Sequence, residues 1–207
     1  MLTQNQVDAL RQMTNMGAAN AAASLSRMLG RRMEMDVPDV QAVSFTELAE
    51  ALGGADKEVA CIFLRIAGEI SGSMYFIMEV GPAEKFVREL TGIGSLQLSK
   101  PPYDEYGVSA VKELGNILIG SYLTSLSDFT GLAFIPEVPQ LSVDMFGAVI
   151  SEGLIELSKA SDFAVLLRTV IRDRGDVGNR TLEGHLFLLP DYESIGHYYK
   201  ALGVSNA

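Results

Sequence analysis

The sequence predicts an α/β sandwich of the α+β kind. A largely antiparallel sheet is covered by long helices, with an internal repeat of approximate two-fold symmetry. Three observations lead there. A spaced set of residues occurs twice, 101 positions apart. A long Pro-free stretch of helical periodicity carries each copy. Short apolar runs follow each stretch, separated by connections too short for the helical crossovers that a parallel sheet needs.

The first copy is Asp8, Gln12 and Asn15 followed by Pro38; the second is Ser109, Glu113 and Asn116 followed by Pro139. Each Asn precedes its Pro by 23 positions, and segments 8–38 and 109–139 share 8 identities in 31. Such self-similarity implies two like halves. The 207 residues are long enough for one well-cored domain, here read as one domain over 1–207 made of repeats at about 1–98 and 103–204.

In chain order, residues 5–29 form a first helix, ending at Gly30. Met33–Val37 and Val40–Phe45 read as two strands around Pro38, and Thr46–Leu52 as a short helix before the Gly53-Gly54-Ala55-Asp56 turn. Val59–Ile66 and Ser71–Glu79 form a hairpin. Gly81 and Pro82 open a helix over 83–90 that stops near Gly92. A connector over 96–103, stiffened by Pro101 and Pro102, leads to the second long helix, 104–129. Leu132–Ile135 is a strand, and 141–157 holds a short helix through Met145, Val149 and Ile150. Phe163–Ile171 and Thr181–Leu189 are strands flanking a polar loop, and a helix over 191–202 closes the order.

The helical pitch turns the repeated spacing into geometry. At about 100° per residue, Ser109, Glu113, Asn116 and Gly120 fall in one stripe. Val111, Leu114, Leu118, Tyr122 and Phe129 fall on the other side, which faces the core. In the first helix Asp8, Gln12, Asn15 and Ala19 form the stripe against Leu10, Met13, Gly17 and Met28. Each stripe then faces solvent or a partner. The small Gly120 and Ala19 let a partner's backbone approach beside the Asn.

Composition excludes several classes. Acidic residues outnumber basic ones 26 to 16, a net charge of −10, which argues against nucleic-acid binding. The single Cys61 sits in an apolar run and reads as a buried strand thiol. His185 and His197 lack metal-ligand spacing. Nucleotide-binding glycine loops and hydrolase or zinc signatures are missing from the sequence. The N-terminus has no signal-peptide pattern and no run reaches the length of a membrane span, so a cytoplasmic chain without membrane insertion is expected.

The stripes resemble the motif of the CheC/CheX/FliY phosphatases of chemotaxis: [D/S]-x-x-x-E-x-x-N with a Pro about 22 residues on. Ser109, Glu113, Asn116 and Pro139 match it throughout; Asp8, Asn15 and Pro38 match, with Gln12 where the family has Glu. Two motifs and this length are similar to the CheC type. The resemblance implies a hydrolase that removes the phosphoryl group from the phosphoaspartate of a CheY-type response regulator. It implies Asn116 as the group that positions water, Glu113 as the docking group, and Asn15 with Gln12 as a second, weaker site. Ser109, Asp8 and Gly120 would line the regulator contact. The chain would need no cofactor of its own, the Mg²⁺ being carried by the regulator. The resemblance also implies the CheD deamidase as a partner, docking around Asp144 and Met145. With two motifs in one chain, a monomer is expected. The alternative is a non-catalytic binding module that sequesters CheD or the regulator, or a relative of the flagellar switch.

Overall fold

The element order repeats itself. In the computed structural model, which describes residues 4–92, 94, 96–99, 103–151, 163–174 and 180–201, the first half runs α1 (Gln4–Leu29), β1 (Met33–Ser44), α2 (Phe45–Ala51), β2 (Glu58–Gly68), β3 (Gly72–Glu79) and α3 (Val80–Thr91). The second runs α4 (Glu105–Thr130), β4 (Phe134–Pro136), β5 (Gln140–Met145), a helix α5 whose described part is 146–151, β6 (Phe163–Asp173), β7 (Arg180–Pro190) and α6 (Tyr192–Ala201).

These strands make one seven-stranded sheet in the order β1-β6-β7-β3-β2-β4, with β5 also paired to β2, and every described pairing is antiparallel. Exchanging the halves reverses this order onto itself. The β3–β7 pair, Gly72 opposite Pro190 through Met78 opposite Gly184, lies at the centre. The expected antiparallel α/β architecture is therefore the observed one.

Two stretches differ from expectation. The two strands around Pro38 are one, β1, whose ladder with β6 slips between Asp36 and Asp39. A Pro has no N–H for the ladder and is tolerated at an edge or bulge, so Pro38 bends the strand rather than ending it. Pro139 occupies the same place in the second half, in the gap between β4 and β5. Both interruptions fall on the outer strands of the sheet. The stretch from Leu141 begins as strand, because β5 pairs with β2 through Met145, and the helix starts only at residue 146.

Helices α1 and α4 cover one face of the sheet. A Cβ on Gly115 would lie 2.4 Å from Cγ2 of Ile62 in β2, so the α4 backbone rests directly on the sheet. A Cβ on Gly17 would meet the Tyr122 ring at 2.8 Å, so the two helices also touch closely. Leu10, Met13, Val111, Leu114, Leu118 and Tyr122 are buried as expected. Met28 and Phe129, equivalent under the 101 offset, are instead about half exposed. Leu25 and Leu126 are the last fully buried apolar residues of the two helices, and beyond them only Leu29 packs partly against the core.

The helix ends follow local chemistry. Asp104 accepts a hydrogen bond from Gly107 N at 2.7 Å at the start of α4, and Gly131, with φ 71°, ends it. Ser44 and Glu47 form a reciprocal capping box at α2. Asp173, fully buried, holds Arg180 at 2.6 Å and Arg31 at 3.5 Å, and Arg180 also reaches Glu89 at 3.1 Å. This network ties the end of α1 to β6, β7 and α3.

Candidate site on the paired helices

Asp8, Gln12, Asn15 and Ala19 are exposed along α1, and Ser109, Glu113 and Asn116 along α4, with Gly120 half-buried. Nothing lies within 4 Å of where a Gly120 Cβ would stand. The small residue thus leaves open space in the stripe. Helical pitch alone accounts for this: the apolar positions point at the sheet, and the stripe is what remains.

The helices run antiparallel. Leu10 and Met13 share a cavity wall with Tyr122 and Leu126, Gly17 faces Tyr122, and Asn20, Ala23 and Arg27 share a groove with Asn116. At about 1.5 Å of rise per residue and 8–10 Å between axes, this register places Asn15 and Asn116 roughly 15 Å apart. The two sites are therefore neighbours on one helical layer.

Asn116 opens into a solvent-facing groove of about 660 Å³ between the helices. Asn20, Ala23, Ser24 and Arg27 line it from α1, and Asn116, Ile117, Gly120, Ser121 and Thr124 from α4. Sequence reasoning singled out Asn116 and Gly120 but missed the α1 wall. The signal was present: Asn20 and Ser121 are equivalent under the repeat, as are Ala23 and Thr124. Which helix would face which was not.

Asp144 lies apart from the stripes. It is exposed on β5 opposite Val59, and its carboxylate accepts from Met145 N at 2.7 Å. Met145 beside it is exposed. A second depression of about 550 Å³ is lined by Glu50, Glu79, Glu183 and His185 among others. Two of its carboxylates are already paired, Glu79 with Lys57 at 3.1 Å and Glu183 with Arg168 at 2.8 Å. Burial, with the Arg168 charge, pushes His185 below the usual histidine range. Cys61 is fully buried, and desolvation raises its thiol far above the ordinary range, which removes it as a nucleophile. His197 is exposed. Among the described residues no cluster of His, Cys, Asp and Glu is arranged to hold a metal ion, and no helix is long and apolar enough to cross a membrane.

An exposed Asn can accept a hydrogen bond from a water and donate one to an anionic oxygen. A Glu one turn away on the same helix can engage a cation on a partner. The arrangement can thus dock a partner and orient a small molecule on it, without a covalent step by the chain.

The chain is 46% identical to the CheY-P phosphatase CheC of Bacillus subtilis (strain 168), over 99% of this chain and 97% of that protein. The chain belongs to the CheC-like family. The CheC-like family model matches residues 7–41 and 107–143, so it takes in both stripes and both prolines. Two solved structures share the fold. Thermotoga maritima FliY superposes with a TM-score of 0.70 at 18% identity, covering 98% of each chain. The FliM middle domain from H. pylori does so with a TM-score of 0.59 at 10% identity, covering 97% of this chain and 99% of that one. At these identities the likeness is one of fold.

Proposed function

We propose that this chain is a phosphatase of a CheY-type response regulator, hydrolysing its phosphoaspartate. The observation that carries the reading is the pair of exposed Asn stripes on adjacent helices. They occur in a CheC-like chain that is 46% identical to a protein named CheY-P phosphatase.

The chemistry asks little of the protein. Hydrolysis of an acyl phosphate needs a water in line with the phosphorus, and charge stabilisation at the phosphoryl oxygens. Asn116 is the water-positioning group, its amide oxygen accepting from the water and its NH₂ donating toward the phosphoryl group. Glu113 docks on a Lys of the regulator and fixes the register. Ser109 and Gly120 flank the contact. Asn15, with Gln12, Asp8 and Ala19, offers a second site; Gln12 brings no charge, so docking there is weaker. The Mg²⁺ ion belongs to the regulator, and this chain supplies no cofactor.

The same reading takes residues 1–207 as one unit of two repeats, acting as a cytoplasmic monomer. It places a CheD contact around Asp144 and Met145, on β5 and away from both stripes. A mixed role is compatible with the Gln12 site, which retains docking groups but lacks the family's Glu.

The test is the decay of phosphorylated regulator in the presence of Asn116→Ala, Asn15→Ala and the double variant. Loss of one preorganised polar group costs about 10²–10³-fold in other active sites. Asn116→Ala loses most of the activity, Asn15→Ala loses less, and the double variant retains almost none, while regulator binding persists through Glu113. A double variant that works at the parent rate ends this assignment of the Asn residues.

A further inference from the structure

Arg27 stands in the groove with Asn116, although the two belong to different repeats. It is exposed in the last turn of α1. Helical side chains lean toward the N-terminus of their helix. Arg27 does so: its Nη2 donates to Ser24 Oγ, three residues back, at 3.3 Å. The register set by Gly17 against Tyr122 then brings the guanidinium level with Asn116. Among the described residues Arg27 pairs with no carboxylate; its one partner is that neutral hydroxyl. A full positive charge therefore faces the groove uncompensated, in a chain whose net charge is −10.

The repeat supplies an internal control. The residue equivalent to Arg27 is Asp128, exposed near the end of α4. The antiparallel register places Asp128 across from Asn15 as Arg27 lies across from Asn116. The flanking Arg11 and Lys112 are equivalents of like sign and do not distinguish the two sites. The walls opposite the two Asn residues thus carry opposite charges.

We infer that Arg27 is a specificity-determining residue for the Asn116 site, there to bind the anionic phosphoryl end of an acyl-phosphate protein. Its counterpart Asp128 disfavours the same group at Asn15. This rests on the phosphatase reading above. A guanidinium offers a planar fork that takes two phosphoryl oxygens together. Arg27 in the groove and Glu113, one turn before Asn116 on α4, then offer one charge of each sign, for the phosphoryl group and the Lys that the partner presents. Arg27 makes and breaks no bond; it holds charge at the place where Asn116 orients water.

The experiment uses the full chain with Asn15→Ala as the single-site parent. Arg27→Gln and Arg27→Lys are compared in it. Arg27→Gln lowers kcat/KM on the phosphorylated regulator by about tenfold at low salt, and the gap narrows as salt rises. Arg27→Lys keeps most of the activity. Regulator loaded with beryllofluoride, a mimic of the acyl phosphate, binds Arg27→Gln more weakly than the parent, and unloaded regulator binds both equally. In the converse background, Asn116→Ala, the change Asp128→Arg raises the residual activity. Unchanged kcat/KM in Arg27→Gln, or equal weakening of loaded and unloaded regulator, overturns the role of Arg27. So does Asp128→Arg without a gain. An unmodified chain that leaves the phosphorylated regulator untouched overturns the phosphatase reading and this inference with it. An active unmodified chain with an inert Asn15→Ala parent overturns only the preference for the Asn116 site.

Discussion

Two glycines five positions apart on α4 respond to the same substitution in opposite ways. At Gly120 an added Cβ meets no atom within 4 Å. Ala is favoured over Gly in a helix interior by about 1 kcal/mol. Gly120→Ala therefore stabilises the fold by roughly 0.5–1 kcal/mol, which for a chain of this size raises Tm by about 2–4 °C per kcal/mol. At Gly115 the new Cβ lands 2.4 Å from Ile62 Cγ2 and 2.6 Å from its Cδ1. Here the same helical gain is outweighed by overpacking, typically about 1–3 kcal/mol, because Ile62 is fully buried and has nowhere to go. Thermal and urea unfolding of the two variants read both signs directly. Function separates them again. Gly120→Leu keeps the fold but fills the open space beside Asn116, so regulator binding weakens, whereas Gly115→Ala alters stability and leaves binding by the folded fraction unchanged. A destabilising Gly120→Ala refutes the exposed placement of the stripe. A Gly120→Leu variant with parental affinity refutes the idea that the residue is small for a partner's sake.

Removing the charge of Asp173 leaves two arginines around a buried neutral amide, so Asp173→Asn destabilises by about 3–5 kcal/mol, measured by urea unfolding; a loss below 1 kcal/mol means the network is dispensable. His185 predicts a pH dependence. Its folded pKa lies below the unfolded value of about 6.5, so the unfolded chain binds the extra proton first and stability falls as pH drops through 6.5, levelling off below the folded pKa. His185→Gln flattens unfolding profiles between pH 7 and 5; a variant with the parent's slope there refutes the assignment to His185.

What the sequence determined by itself is local. The long helices, read as 5–29 and 104–129, are Gln4–Leu29 and Glu105–Thr130. Their stripes are exposed where the pitch placed them, because the period of a helix is a property of consecutive residues. The β2–β3 hairpin and the Gly92 stop were legible for the same reason. The 101-residue offset also exposed the twin motifs before any geometry was known. Only the tertiary structure decided which strands meet. β1 pairs with β6 and β3 with β7, so each half completes its sheet through the other, and an alternating pattern does not name its partner strand. It also merged the two strands around Pro38, since a bulge against β6 absorbs a break that looks like a stop in sequence. The groove is the clearest case. Asn116 and Arg27 lie 89 positions apart, and they face one groove only because Gly17 admits Tyr122 and lets α1 and α4 pack antiparallel at close range.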